Sequence, residues 1–134
     1  MAGEEDLNVL LSSMTPVLNP GEFVFVSLEG GIGDYPYLEP LCSFSEKEGL
    51  TLIIPVLNAD EYSLPYDAVF RYITLEVHSS LEAVGLTAAV SSKLAQDGIS
   101  ANVVAAYYHD HIFVQSELAE KALKSLKELS GSSR

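Results

Sequence analysis

"VGLTAAVSSKLAQDGISANVVAAYYHDHIFV", Val84 to Val114, is the stretch on which the fold turns. Leu86, Ala89, Val90 and Leu94 recur at helical spacing, and Gly98 stands where a helix end needs a left-handed residue. Two apolar runs follow, "ISANVVAAYY" and "HIFVQ", with so little chain between them that only a hairpin can join them. His109, Asp110 and His111 fall at that join. Asp is a turn former and His tolerates a turn, whereas a metal needs three or four converging ligands and only the distant His78 could add to these. The reading is a structural turn, with the rim of a ligand site second and metal or acid-base chemistry third.

Upstream, "VFRYITLEV" alternates Val69, Arg71, Ile73, Leu75 and Val77 against Phe70, Tyr72, Thr74 and Glu76, so the first set, Arg71 aside, faces a core. A capping box at Ser79 and Glu82 predicts that the helix begins there. Downstream, Leu118, Ala122, Leu126 and Leu129 share one side of a helix over 117–129, with acids early and lysines late as the helix dipole favours. Residues 68–129 thus read strand, helix, strand, strand, helix, which is a βαββαβ unit short of its last strand.

The other end of the chain offers that strand. Leu7, Leu10, Leu11 and Met14 predict a helix that Pro16 and Pro20-Gly21 terminate, and "EFVFVSLE" alternates as a strand. Phe23 to Leu28 is therefore expected to pair with the carboxyl-terminal half. "GGIGDYPY" is a loop whose glycines fit neither GxGxxG nor a Walker sequence. "LCSFSEKEGLTLIIP" reads as a hairpin turning at Glu48-Gly49, a helical turn covers Asn58 to Tyr62, and "SLPYD" is a hinge between halves.

Composition narrows the function. The chain has 134 residues, 48% of them hydrophobic, and one cysteine, Cys42, so it folds without an internal disulfide. No apolar run approaches the roughly 20 residues of a membrane span, and no secretory leader opens the chain, so a cytoplasmic protein is expected. Nineteen acidic against seven basic side chains give a net charge of −12, a surface that repels nucleic acid and anionic lipid. The acidity serves solubility or draws a cationic ligand. An RNA binder that stacks bases on Phe70, Tyr72 and Tyr107 lacks RNP motifs and has the wrong charge. No GxSxG or HExxH marks an enzyme.

With these residues in place, "VGLTAAVSSKLAQDGISANVVAAYYHDHIFV" resembles an ACT domain, through Gly85 at the strand-to-helix loop, "DGIS" before the second strand and the acidic hairpin before "IFV". "FVFVSLEGG", "CSFSEKEGLTLIIP" and "LPYDAVFRYITLEVHSSLEAVGLTAAVS" resemble small bacterial proteins that pair two ACT-like units, which are also similar to parts of the CASTOR-type arginine sensors. Ala83 and Val84 stand where the family commonly has aspartate and proline. The resemblance implies an α+β, ferredoxin-like fold with an ACT-like half over 1–65 and an ACT domain over 66–134, the halves sharing or exchanging strands and helices. It also implies a non-enzymatic regulator that binds an amino acid or similar small molecule, with no cofactor and no metal. The other function carried forward is a homo-oligomerisation module without a ligand.

A glycine at a helix start exposes unpaired N–H groups that suit a carboxylate, so Gly85 and Leu86 are the candidate carboxylate end, with Ser80, Val84 and Thr87 as neighbours. Gly85 serves equally as a packing glycine, and Ser79 as an ordinary cap. Glu29, Asp34 and Glu82 are the candidate carboxylates for an ammonium group, in a site expected at the junction of the halves. Phe70 and Tyr72, on the strand face away from Ile73 and Leu75, are expected to lie exposed and to form a homodimer contact.

Overall fold

The structure, a computed structural model, describes residues 6–77 and 85–132. In chain order its elements are α1 (Leu7–Ser13), β1 (Thr15–Leu18), β2 (Phe23–Leu28), β3 (Cys42–Glu46), β4 (Gly49–Pro55), α2 (Val56–Glu61), β5 (Phe70–Glu76), α3 (Leu86–Gln96), β6 (Asn102–Ala105), β7 (Asp110–Gln115) and α4 (Ala119–Ser132). They form two compact units, Met1–Asn19 with Arg71–Arg134, and Pro20–Phe70. The fold is α+β and ferredoxin-like.

In the first unit the sheet runs β1-β5-β7-β6, the order of a βαββαβ unit whose last strand has moved to the front of the chain. β1 pairs antiparallel with β5, Thr15 opposite Glu76 and Leu18 opposite Ile73. β6 pairs antiparallel with β7, Asn102 opposite Phe113 and Ala105 opposite Asp110. The strand that completes this sheet is Thr15–Leu18; the expected Phe23–Leu28 does pair with β5, but only where Phe23 stands opposite Phe70. Pro16 accordingly does not end structure: it sits in β1 opposite Leu75, on an outer strand where a missing N–H costs no ladder bond.

Helix and strand follow each other in α1 and β1 with only Met14 between them. Asp6 caps α1, its Oδ1 accepting the N–H groups of Asn8 at 3.0 Å and Val9 at 3.2 Å. The helix buries Leu10 and Leu11, and Met14 is buried beside them, against Val90 and Leu94 of α3, Ala122 and Leu126 of α4, and Ile73, Leu75, Ile112 and Val114 of the sheet. Each such side chain stabilises by roughly 1.5–3 kcal/mol. The buried Ser130 hydroxyl donates to the Met14 carbonyl at 2.9 Å, tying α4 to this junction. α3 ends as expected: Gly98 takes φ 78°, the Ile99 N–H returns to the Leu94 carbonyl at 2.9 Å, and Ile99 is buried. The capping box read at Ser79 and Glu82 lies outside the described residues, among which α3 starts at Leu86. Arg71, the one charge on the core side of β5, turns to the carbonyl of Asn19 at 3.2 Å and to Glu120 at 3.9 Å.

In the second unit β2 and β3 flank β4, antiparallel throughout, with Phe23 opposite Pro55 and Cys42 opposite Ile53. The hairpin turns at Lys47-Glu48, one residue before the expected position, because Glu46 pairs with Gly49. α2 and two 3-10 turns, Ile32–Asp34 and Pro36–Leu38, cover one face. Val24, Val26, Leu38, Leu50, Leu52, Ile54 and Ala59 form the core beneath them. The Asn58 amide donates to the Leu38 carbonyl at 2.8 Å and so holds the second turn to α2. Phe23 is opposite Phe70, and the Phe25 and Phe70 rings meet edge to face at 5.0 Å.

The expectation that Phe70 and Tyr72 lie exposed is corrected here. Both are half-buried, Phe70 against Phe25 and Tyr72 stacked on the buried Phe113 at 5.1 Å. The most exposed large apolar groups among the described residues are elsewhere: Phe44 on β3 (70% exposed), Leu57 on α2 (76%), and Tyr107 and Tyr108 (80% and 77%) between β6 and β7. The latter pair forms the tip of that hairpin, which closes through the Ala106 N–H and the His109 carbonyl. His109-Asp110 therefore does not form the tip, and Asp110 is already the first residue of β7.

Candidate functional site

The entry to α3 is built by backbone geometry. Gly85 holds φ 101° at the N-cap, without a side chain to satisfy the first helical N–H groups. Leu86 is buried and Thr87 is exposed. The Thr87 Oγ1 donates to the Asp110 Oδ2 at 3.4 Å, which brings a carboxylate to the mouth of a helix N-terminus. A carboxylate ligand would find N–H donors and the positive end of the helix dipole here, and an ammonium group would find Asp110.

Gly85 also has a packing role that the structure makes explicit. A Cβ at this position would meet the Leu7 Cδ2 at 3.3 Å, so α1 lies close over the entry to α3. The left-handed backbone, moreover, excludes a β-branched residue. A valine at Gly85 is therefore no neutral probe of ligand binding, because it strains the fold first.

Behind this entry, on the face of the sheet away from the helices, lies a polar network. The Asn19 amide donates to the Thr74 Oγ1 at 2.8 Å and to the Tyr72 carbonyl at 3.2 Å, and Thr74 Oγ1 lies 3.0 Å from His111 Nδ1. With Asn19 donating, the Thr74 proton is free to go to neutral His111. Burial, then the nearby His109, holds the His111 ring below its ordinary value of 6.5, against the opposing pull of Asp110. A histidine that resists protonation in the folded state binds fewer protons there than when unfolded. Stability is thus expected to fall as pH drops below about 6.5 towards the depressed folded value. An NMR titration of the His111 ring checks this: a midpoint above the ordinary histidine range would overturn it.

Of the residues read from sequence, the structure brings Gly85, Leu86 and Thr87 together with Asp110. Glu29 and Asp34 lie in the second unit, in one loop that is closed on itself: the Asp34 Oδ2 accepts the Gly31 N–H at 2.9 Å, and the Tyr35 hydroxyl donates to the Glu29 carbonyl. Ser80, Glu82 and Val84 fall outside the described residues. The sequence reads Asp110 as a turn first and as the rim of a ligand site second, and does not group it with Gly85. The βαββαβ order would have found it, since the third strand of such a unit starts where the first strand ends. Among the described residues no three His, Cys, Asp or Glu side chains converge as a metal ion requires. None of the described helices is long and apolar enough to cross a membrane.

Two ACT domain models match the sequence, one over residues 2–71 and the other over residues 68–128. The chain belongs to the ACT domain family. Its two ACT matches stand in tandem, an arrangement that generally serves regulatory ligand binding. It is 53% identical to a Vibrio cholerae protein of unknown function, described as a possible transport protein, over 92% of this chain and 95% of that one, with a TM-score of 0.87. An Agrobacterium tumefaciens protein is 16% identical, over 87% of this chain and 89% of that one, with a TM-score of 0.68. The ligand-free regulatory subunit of aspartate kinase from Thermus thermophilus shares the fold at 7% identity, over 87% of this chain and 95% of that one, with a TM-score of 0.57. No curated protein matches the sequence.

Proposed function

We propose that this tandem ACT protein is a cytoplasmic, non-catalytic regulator that binds a neutral or cationic amino acid at the entry to α3 and acts as a homodimer. The observation that carries the reading is the Asp110 carboxylate held by Thr87 beside the N-terminus of α3, where Gly85 supplies no capping side chain. One place then offers N–H donors for a ligand carboxylate and an anion for its ammonium, and disfavours aspartate and glutamate. Ser80, Glu82 and Val84, which precede Gly85 in sequence, are proposed as further contacts. Phe44, 70% exposed on the outer strand β3, favours the dimer and, in the absence of a ligand, the assembly-module reading.

A thermal-shift screen against the amino acids tests the proposal, since a ligand at 100 times its Kd adds about 2.7 kcal/mol of stability. Asp110→Asn is expected to weaken binding roughly tenfold or more, because a hydrogen bond to a charged group is worth about 1.5–3 kcal/mol. Unchanged affinity in that variant removes the site. No response to any amino acid at millimolar concentration leaves the assembly module.

A further inference from the structure

Four of the seven tyrosines lie in the second unit, and three of them form a row: Tyr35 and Tyr37 have ring centroids 6.2 Å apart, and Tyr37 meets Tyr62 edge to face at 4.9 Å. Tyr37 is 50% exposed and Tyr62 46%, so the row is held by its own ring contacts and remains open to solvent. The backbone fixes it: Tyr37 lies on the 3-10 turn that Asn58 ties to α2, and Tyr62 ends α2 with its N–H on the Asn58 carbonyl.

Carboxylates stand beside these rings. The Tyr66 hydroxyl donates to Asp60 Oδ1 at 2.8 Å, and Glu61, the last residue of α2, precedes Tyr62 in the chain. The Tyr62 phenol is held above its ordinary value, by desolvation first and then by Glu61. The charge of the whole unit points the same way. Residues 20–70 carry nine acids and a single base, Lys47, so 1 − 9 = −8 of the chain's −12 resides in this unit.

We propose that the Tyr35–Tyr37–Tyr62 row is a docking surface for an arginine-rich segment of a protein partner. Guanidinium planes stack on the ring faces while Asp60 and Glu61 meet their charge. A single cation on an exposed ring gains only about 0.5–1 kcal/mol, so a lone small cation is held weakly. A chain of successive guanidinium groups engages several rings at once, which suits three rings linked through Tyr37. This surface is separate from the amino-acid reading of the α3 entry and stands without it.

The test is calorimetry of the full chain with a capped octa-arginine peptide at physiological salt. Tyr37→Ala and Tyr62→Ala remove ring faces without changing charge, and each is expected to weaken binding by about 2- to 5-fold. Tyr37→Phe keeps the face and most of the affinity. Tyr107→Ala with Tyr108→Ala, at the exposed pair of the other unit, leaves binding unchanged. Both target rings are about half exposed, and a melting curve of each variant verifies that the fold persists. Equal binding by the Tyr37 and Tyr62 variants would reduce the effect to net charge and overturn the proposal. So would no binding by the wild type, or an equal loss in the Tyr107 and Tyr108 variant. Free arginine that binds as tightly as the peptide would replace docking with a small-molecule site.

Discussion

Removal of residues 1–19 is expected to unfold the first unit outright. The segment supplies the outer strand β1 and three buried side chains, Leu10, Leu11 and Met14, that pack against α3, α4 and the sheet. At roughly 1.5–3 kcal/mol for each buried side chain, their loss alone is roughly 5–9 kcal/mol, against about 5–15 kcal/mol for a whole domain. The unpaired side of β5 would add to that cost. A milder form of the test is Leu10→Ala, expected to destabilise by about 2–5 kcal/mol in chemical denaturation. If a chain beginning at residue 20 gave a dispersed amide spectrum for residues 85–132, the amino-terminal segment would be an accessory rather than part of that fold.

The same segment marks how far the sequence could be read. Its helix was legible because Leu7, Leu10, Leu11 and Met14 recur at the helical period. Its strand was not, because Thr15–Leu18 is too short for alternation to show and contains a proline, which only an outer strand tolerates. The longer alternation of Phe23–Leu28 therefore drew the missing strand to itself, although those residues pair with β4 along their length and with β5 only at Phe23. The exchange between the ends of the chain was visible as an incomplete βαββαβ unit, since a count of elements does not depend on which strand fills the gap.

Candidate site residues divided along a similar line. Gly85 was legible because a glycine before a helical period is a strong local signal, and the structure gives it a φ of 101° that favours glycine. Asp110 was not, because its significance lies in where the third strand starts relative to the first helix, which is a property of topology. The turn beside it misled for a physical reason: Asp110 has turn chemistry, but the pairing of Ala105 with Asp110 puts it in the ladder and leaves two tyrosines at the tip. Tyrosine carries no turn signal, so nothing local announced that arrangement.

Gly85→Val is expected to cost about 3 kcal/mol of stability, the larger share from backbone strain. Two causes act at this position and can be separated. One is the φ of 101°, which any side chain with a Cβ resists and a β-branched one resists most. The other is the Leu7 Cδ2, 3.3 Å from where a Cβ would sit. Gly85→Ala keeps both causes, since its Cβ is the atom that meets Leu7, while Leu7→Ala removes the second and leaves a small gap of its own. A double-mutant cycle on Gly85→Ala and Leu7→Ala, followed by denaturant unfolding, reads the coupling between them. Because 3.3 Å is relieved by a small shift of a flexible leucine, the cycle is expected to close near additivity, with Gly85→Ala destabilising by about 1–2 kcal/mol in either background. A coupling above about 1 kcal/mol would instead assign the glycine to the close approach of α1. A Gly85→Ala variant as stable as the wild type would show that the left-handed conformation is not needed at the entry to α3, and the argument for exposed N–H donors there would lose its geometric basis.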